Sequence, residues 1–145
     1  MAAVNPYLSF NGNCEAAFNF YKSVFGGEFT YLSRFKDMPS EQPIPDTEKE
    51  KILHMSLPIG SGTILMGSDT SEVFGIRTKF GDNISLSVNT DSENETQRIF
   101  NELSAGGQII MPLEKMFWGA LFGHFTDKYG VLWMINYEYN GEVNE

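Results

Sequence analysis

Apolar and polar residues in the first half of the chain are spaced as in one strand, one helix and three further strands. Asn5–Phe10 alternates apolar and polar positions, which is typical of a half-buried strand. Apolar residues then recur at helical spacing between Asn13, a predicted N-cap, and Gly26, a residue type that ends helices. The remaining strands are predicted at Phe29–Phe35, His54–Ile59 and Thr63–Met66.

Short segments of the first half recur in the same order in the second half, which indicates an internal duplication. The recurring segments are Leu8–Asn11 as Leu86–Asn89, Gly26–Gly27 as Gly106–Gly107, and Gly62–Met66 as Gly130–Met134. Their spacing changes from block to block, so the loops between the blocks differ in length.

The second copy has the same order of predicted elements. Its first strand is predicted at Asn83–Val88, and its helix begins with a capping box at Thr90–Glu93. Ile99, Phe100 and Leu103 form the apolar face of that helix. The last three strands are predicted at Ile109–Pro112, Ala120–Thr126 and Val131–Tyr137.

These patterns predict an α+β fold built from two tandem β-α-β-β-β modules, at about residues 1–72 and 80–140 of one domain. Each module has a single helix, which can cover only one face of its strands. The modules are therefore expected to form a cupped, mostly antiparallel sheet with an uncovered concave surface. The two sheets could pair edge to edge or face each other across a cleft.

Composition narrows the classes of partner. The net charge is −9, and the 10 basic residues form no cluster, which argues against a nucleic-acid partner. The longest apolar runs are far shorter than the roughly 18 residues of a membrane span. The first residues lack the features of a secretory signal, and Cys14 is the only cysteine, so we expect a cytoplasmic protein without a disulfide.

Both ends of the chain resemble the PhnB-like proteins of the vicinal-oxygen-chelate (glyoxalase/bleomycin resistance/dihydroxybiphenyl dioxygenase) superfamily. The segments that carry the resemblance are Asn5–Ala17 with Phe20–Tyr21, then Phe117–Gly119, Phe122–Gly123, Thr126–Val131 and Trp133–Asn136. The resemblance implies paired modules, a cupped sheet and a homodimer. It implies no particular reaction, because members include lyases, dioxygenases, isomerases and drug-binding proteins.

Some PhnB-like sequences carry the label of a ubiquinone-pathway methyltransferase. The chain has no glycine-rich strand-to-helix fingerprint of the kind that nucleotide-like cofactors use, so we expect no such cofactor.

The resemblance also bears on metal binding, since metal-dependent members take ligands from the first and last strands of each module. The corresponding residues here are Asn5, Met66, Asn83 and Met134. Neutral amides and thioethers are poor ligands for zinc, nickel, iron or manganese. We therefore expect no catalytic metal and no mechanism in which a metal polarises the substrate.

Polar residues alternate along the first strand of each module and are predicted to share one face with two methionines and a tryptophan. This predicted ligand-binding set comprises Asn5, Tyr7, Ser9, Met66, Asn83, Ser85, Ser87, Trp118 and Met134. Neutral hydrogen-bonding groups beside apolar side chains suit a small, partly apolar organic molecule. In the alternative interpretation, these polar residues face solvent on an unused sheet.

Three functions remain open from the residues. The first is binding of a small organic molecule without a metal. The second is a lyase or isomerase in which His124 or His54 acts as a general base, against the simpler interpretation of both as structural. The third is an interaction module whose sheet edge serves dimerisation. A metal-dependent enzyme is a further alternative if the predicted strand register is wrong.

Overall fold

A computed structural model describes residues 1–139. The chain divides into two compact units, Met1–Lys79 (unit 1) and the segment from Phe80 onward (unit 2). The predicted end of the second module, residue 140, lies outside the described residues. No helix among residues 1–139 combines the length and apolar character needed to cross a membrane.

Unit 1 is a four-stranded sheet with one helix. Its elements are β1 (Tyr7–Phe10), α1 (Cys14–Phe25), β2 (Tyr31–Arg34), β3 (Ile52–Ile59) and β4 (Thr63–Asp69). The strand order is β1-β4-β3-β2, in which β1 and β4 run parallel and the other neighbours antiparallel.

Unit 2 repeats this topology. Its elements are β5 (Leu86–Asn89), α2 (Glu93–Ser104), β6 (Gln108–Lys115), β7 (Ala120–Thr126) and β8 (Leu132–Glu138). The order is β5-β8-β7-β6, again with a parallel pair, β5 and β8, and two antiparallel pairs. The prediction of two β-α-β-β-β modules with mostly antiparallel pairing is confirmed.

Each helix packs on its own sheet over a glycine. A Cβ atom on Gly67 of β4 would lie 2.6 Å from the ring of Phe18, and one on Gly123 of β7 would lie 2.5 Å from the ring of Phe100. Both distances are too short for real contacts, so the glycines let each aromatic ring rest directly on the sheet.

The apolar face predicted for α2 is confirmed. Ile99, Phe100 and Leu103 are all buried, and the ring of Phe100 meets that of Phe125 edge-on at 5.2 Å. In unit 1 the corresponding core contains Phe10, Phe18, Tyr21, Met55, Leu57 and Leu65.

The predicted N-cap position of α1, Asn13, is confirmed, but its side chain does not act as the cap. The Asn13 side chain makes no capping hydrogen bond. Instead, one carboxylate oxygen of buried Asp69 accepts from the amides of Gly12 and Cys14, at 2.9 and 3.0 Å. Its other oxygen accepts from the Ile52 amide at 2.8 Å, so Asp69 joins the helix start to β3.

The capping box predicted for α2 is displaced by two residues. Ser92 accepts from the Glu95 amide at 3.1 Å, and the Glu95 carboxylate accepts from the Asp91 amide at 2.9 Å. A capping box needs Ser or Thr three residues before Glu, and this spacing occurs twice, at Thr90–Glu93 and at Ser92–Glu95. The Thr90 hydroxyl does not cap the helix, because it is hydrogen bonded to Thr96.

Both first strands begin later than predicted. β1 begins at Tyr7, because the Asn5 side-chain oxygen accepts from the Ile64 amide at 3.0 Å in place of a ladder bond. β5 begins at Leu86, and Asn83 is exposed ahead of it. In the opposite sense, β6 continues past the predicted Pro112 to Lys115.

Candidate functional site

The face of each sheet opposite its helix carries the candidate site, because alternate residues of a strand point to opposite faces. On unit 1 this helix-free face is defined by Tyr7, Tyr31, Ser33, His54, Ser56 and Met66. On unit 2 it is defined by Ser85, Ser87, Phe122, His124 and Met134.

His54 is the centre of the hydrogen-bonded group on unit 1. Its Nδ1 lies 3.1 Å from the Tyr7 hydroxyl, and its Nε2 lies 3.0 Å from the Ser56 hydroxyl. The ring also lies between two tyrosines, 5.5 Å from Tyr7 and 5.4 Å from Tyr31 by ring centroids. Both ring nitrogens are therefore engaged, which fixes the orientation of the imidazole.

Ser33 lies directly opposite His54 in the ladder between β2 and β3. The side chain is buried, and its hydroxyl has no hydrogen-bond partner among residues 1–139. Since His54 already uses both nitrogens, it leaves the Ser33 hydroxyl unpaired.

His124 is held differently on unit 2. Its Nε2 lies 3.1 Å from the Ser85 hydroxyl, and Nδ1 has no partner in the described part of the chain. Its neighbours across the ladders are Met134 and Met111. A half-buried imidazole with one free nitrogen can accept a hydrogen bond from a ligand or donate one to it.

Aromatic side chains border this second face. The ring of Trp118 lies 6.2 Å from that of Phe122 and 5.0 Å from that of Phe117. Trp118 is half exposed and Phe117 almost fully exposed. By contrast, Trp133 is buried, and its indole N–H donates to Asp127 at 2.8 Å, so it belongs to the core.

A shallow concavity of about 350 Å³ lies where β5 and β8 end. It is lined by Asn89, Thr90, Asp91, Asn136, Tyr137 and Glu138. Every side chain in its lining carries a polar group.

Within each unit, the strand register gives the methionine that corresponds to a metal ligand a ladder neighbour other than the predicted asparagine. Met66 lies beside Tyr7, and Met134 lies beside Ser87. Asn5 and Asn83 both precede their strands, so neither is the ladder neighbour of its methionine. The remaining predicted contact residues, Ser9 and Ser85, lie near the same faces, where Ser9 neighbours Ser68 and Ser85 contacts His124.

This donor set does not fit a divalent metal. The Asn5 oxygen is occupied by a backbone amide, and the thioethers of Met66 and Met134 carry no charge. Nor do three His, Cys, Asp or Glu side chains of the described residues come together in a group that could hold a metal ion.

Cys14 belongs to the core. The side chain is fully buried, and burial, followed by the nearby charges of Asp69 and Glu15, raises the pKa of the thiol far above its usual value. The reactive thiolate of Cys14 is thus disfavoured. The cytoplasmic location expected from a single cysteine stays a prediction.

The Arg34 side chain forms an ion pair with Glu15 of α1. Two of its nitrogens donate to the two oxygens of Glu15, at 2.9 and 2.7 Å. This hydrogen bonding holds the pKa of the Glu15 carboxyl below its usual value and raises that of Arg34. Arg77 is exposed, 3.7 Å from Glu72. Neither arginine lies among the residues that define the helix-free faces.

Sequence reasoning missed Tyr31, Ser33, Ser56 and Phe122. The sequence does contain a pattern that indicates part of this group. Tyr31 and Ser33 are two residues apart on one strand, and His54 and Ser56 are two residues apart on another. Such spacing places both members of each pair on one face. Only the pairing between β2 and β3 shows that the two pairs are neighbours.

The fold is that of the glyoxalase/bleomycin resistance/dioxygenase superfamily. A glyoxylase/bleomycin resistance protein/dioxygenase domain from Frankia superposes with a TM-score of 0.67 over 98% of this chain and 96% of its own, at 13% identity. That likeness concerns the fold alone.

The chain belongs to the PhnB-like family, whose model, described as 3-demethylubiquinone-9 3-methyltransferase, matches residues 2–136. Protein YjdN of Escherichia coli is 33% identical over 92% of this chain and 93% of its own. Protein PA1353 of Pseudomonas aeruginosa is 41% identical, with a TM-score of 0.83 over 95% of this chain and 98% of its own. A Bacillus cereus PhnB protein, a putative 3-demethylubiquinone-9 3-methyltransferase, is 27% identical, with a TM-score of 0.76 over 94% and 99%.

Proposed function

We propose that the protein binds a small, partly apolar organic molecule on the helix-free faces of its sheets, without a catalytic metal. One observation carries the proposal: each face combines a histidine, a hydroxyl bonded to it and a methionine. These groups are Tyr7, His54 and Met66 on unit 1, and Ser85, His124 and Met134 on unit 2.

The chemistry of these faces favours a ligand without a formal charge. Tyrosine, serine and methionine side chains offer hydrogen bonds and apolar contact but no permanent charge to balance an ion. The tyrosine rings of unit 1 and the Phe122 and Trp118 rings of unit 2 add aromatic contact area.

Backbone amide NMR spectra recorded with three probes, phenol, acetophenone and ethylbenzene, test the proposal. We expect shifts among the resonances of β1, β2, β3 and β4 or of β5, β7 and β8, with α1 and α2 little changed. Met66→Lys, which places a charge on the face of unit 1, should weaken probe binding there by about tenfold. Val73→Lys, at an exposed position outside the sheet, is the control. Shifts confined to the helices, or none, would contradict the proposal.

Metal content is tested separately. Elemental analysis of the purified protein, with melting curves in nickel, zinc, manganese and ferrous iron, should give no stoichiometric metal and no stabilisation. A ligand that binds the native state raises its melting temperature by mass action, so a rise of several degrees would mean that a metal site exists.

A general-base enzyme is the second candidate function, and the free nitrogen of His124 favours it. Such an enzyme would remove a proton from a carbon next to a carbonyl and return one from solvent. The test is exchange of the acetophenone methyl protons in D2O, compared between the protein and its His124→Asn variant. Exchange no faster than in buffer would leave binding as the proposed function.

The proposal includes a homodimer, which the family resemblance implies. The edge strand β6 supports it, because Ile109 and Ile110 are each 50% exposed and Met111 is 39% exposed. Native proteins usually cover or charge such an apolar edge. Light scattering should give twice the monomer mass, and Ile110→Lys should reduce it; an unchanged monomer mass for the original chain would contradict the dimer.

The methyl transfer in the family's description stays outside the proposal. Side chains already accept from some of the amides at the helix starts: Asp69 accepts from the amides of Gly12 and Cys14, and Ser92 and Glu95 cap α2. Neither helix start carries the glycine-rich fingerprint that nucleotide-like cofactors use.

A further inference from the structure

Ser33 of β2 carries a buried hydroxyl on the helix-free face of unit 1. Ser33 is 9% exposed, and its Oγ is the one buried side-chain nitrogen or oxygen of the described residues that lacks a hydrogen-bond partner. Buried polar groups are hydrogen bonded in the great majority of cases. The hydroxyl is thus suited to a partner from outside residues 1–139, either a ligand or a water molecule.

The neighbours of Ser33 indicate what such a partner would contact. His54 lies opposite it, with both ring nitrogens engaged by Tyr7 and Ser56. Tyr31 precedes Ser33 by two residues on the same face, with its ring 5.4 Å from that of His54. Tyr31 is 55% exposed and Tyr7 is 47% exposed, so both rings are accessible beside the buried hydroxyl.

We propose that Ser33 anchors a site on unit 1 for a neutral aromatic carbonyl compound, its hydroxyl donating to the carbonyl oxygen while the ring contacts Tyr31, His54 and Tyr7. This inference rests on the proposed function, because it names the ligand chemistry of one of the two faces. A carbonyl oxygen accepts one hydrogen bond from a neutral donor without leaving an unbalanced charge. A flat ring suits aromatic edges and faces at centroid distances of about 5 Å.

Titrations of the whole protein with two probes test the site. Acetophenone carries the carbonyl, and ethylbenzene has the same ring and a similar size but no acceptor. We expect acetophenone to shift the amide resonances of Ser33 and His54, and Ser33→Ala to raise its Kd by about tenfold with little effect on ethylbenzene. Ser33→Cys keeps the size and only a weak donor, so it should give an intermediate Kd and serves if the alanine variant folds poorly.

Ser104→Ala is the matched control, because Ser104 of unit 2 is also 9% exposed. Acetophenone should bind this variant within about twofold of the original chain. Two results would overturn the inference. One is an unchanged Kd for acetophenone in both Ser33 variants. The other is that acetophenone does not shift the Ser33 and His54 resonances, which is expected if the hydroxyl binds only water.

The proposed function is judged separately. It stands if the probes shift other resonances of either helix-free face, and it fails if no probe shifts any of them.

Discussion

The two units have the same topology but hold their histidines differently. On unit 1, both nitrogens of His54 are hydrogen bonded, to Tyr7 and to Ser56. On unit 2, His124 is bonded only through Nε2, to Ser85, among the described residues. The ladder neighbour of Met134 on β7 is His124, whereas the neighbour of Met66 on β3 is Ser56. The histidines of the two copies therefore occupy ladder positions that are two residues apart.

This difference separates what the duplicated fold requires from what each face can do. The parallel pair of first and last strands recurs in both units. Each helix also rests on a glycine, although it lies on the last strand of unit 1 (β4) and on the third strand of unit 2 (β7). The surroundings of the histidines do not recur. Unit 1 has a fixed imidazole beside an unpaired serine hydroxyl, and unit 2 has an imidazole with a free nitrogen, so the two faces are suited to different ligand contacts.

The largest expected difference between the units concerns how each helix begins. Asp69→Ala removes the acceptor of three amides in unit 1, two of which belong to the segment that starts α1. Because buried donors would lose their partner, we expect a loss of about 4 kcal/mol in the free energy of unfolding. Ser92→Ala removes a single cap bond in unit 2 and should cost about 1 kcal/mol. Urea denaturation measures both.

Equal losses in these two variants would contradict this view of the helix starts. Asn13→Ala is the control, because the Asn13 side chain makes no cap bond, and it should leave stability nearly unchanged.

The next prediction concerns a feature that the units share. Gly67→Ala and Gly123→Ala should each lower the free energy of unfolding by about 2 kcal/mol, since the added methyl would overlap the ring of Phe18 or Phe100. Gly62→Ala is the control, because a Cβ there meets nothing within 4 Å. Thermal or urea unfolding measures all three. If only one of the two variants were destabilised, helix packing would differ between the units.

The sequence was sufficient for the features that depend on local periodicity. The duplication, the order of elements and the apolar face of α2 follow from spacings of about two and 3.6 residues, which directly reflect which side chains are buried. For the same reason the predicted strands overlap the observed ones even where their ends differ by a few residues.

What the sequence could not provide is the register between distant strands. Repeated segments place Asn5 and Asn83 at equivalent positions, but the ladders put Tyr7 beside Met66 and Ser87 beside Met134. Likewise, Asp69 caps a helix that begins 55 residues earlier. These contacts depend on which strands pair, and no local pattern encodes that choice. The assignment of the nine predicted residues as ligand contacts stays a prediction.

A chemical probe measures the difference between the histidines directly. Diethyl pyrocarbonate acylates an unprotonated imidazole nitrogen, so His124, with a free Nδ1, should react about tenfold faster than His54. Peptide mass spectrometry over a time course gives both rates. Tyr7→Phe removes the partner of Nδ1 of His54 and should bring its rate close to that of His124. If His54 reacted as fast as His124 in the original chain, the proposed difference between the units would be wrong.

The smallest expected effect is the pH dependence of one ion pair in unit 1. The hydrogen bond to Arg34 lowers the pKa of Glu15 in the folded state. A carboxyl with a lowered folded-state pKa stabilises the fold above its unfolded-state pKa of 4.5, and this contribution is lost as the pH falls through the folded-state pKa. Because the Glu15 side chain is 43% exposed, we expect only about 0.5 kcal/mol.

Glu15→Gln should therefore be less stable than the original chain near pH 6 and approach it as the pH falls well below 4.5. The matched variant in unit 2 is Glu102→Gln, whose ion pair with Arg98 is longer, at 3.5 Å, and exposed on both sides. We expect no measurable change there, since exposed pairs contribute little. Urea unfolding of both variants between pH 3 and 6 makes the comparison. A larger loss of stability in Glu102→Gln than in Glu15→Gln would mean that the distance and exposure of an ion pair do not determine its contribution to stability here.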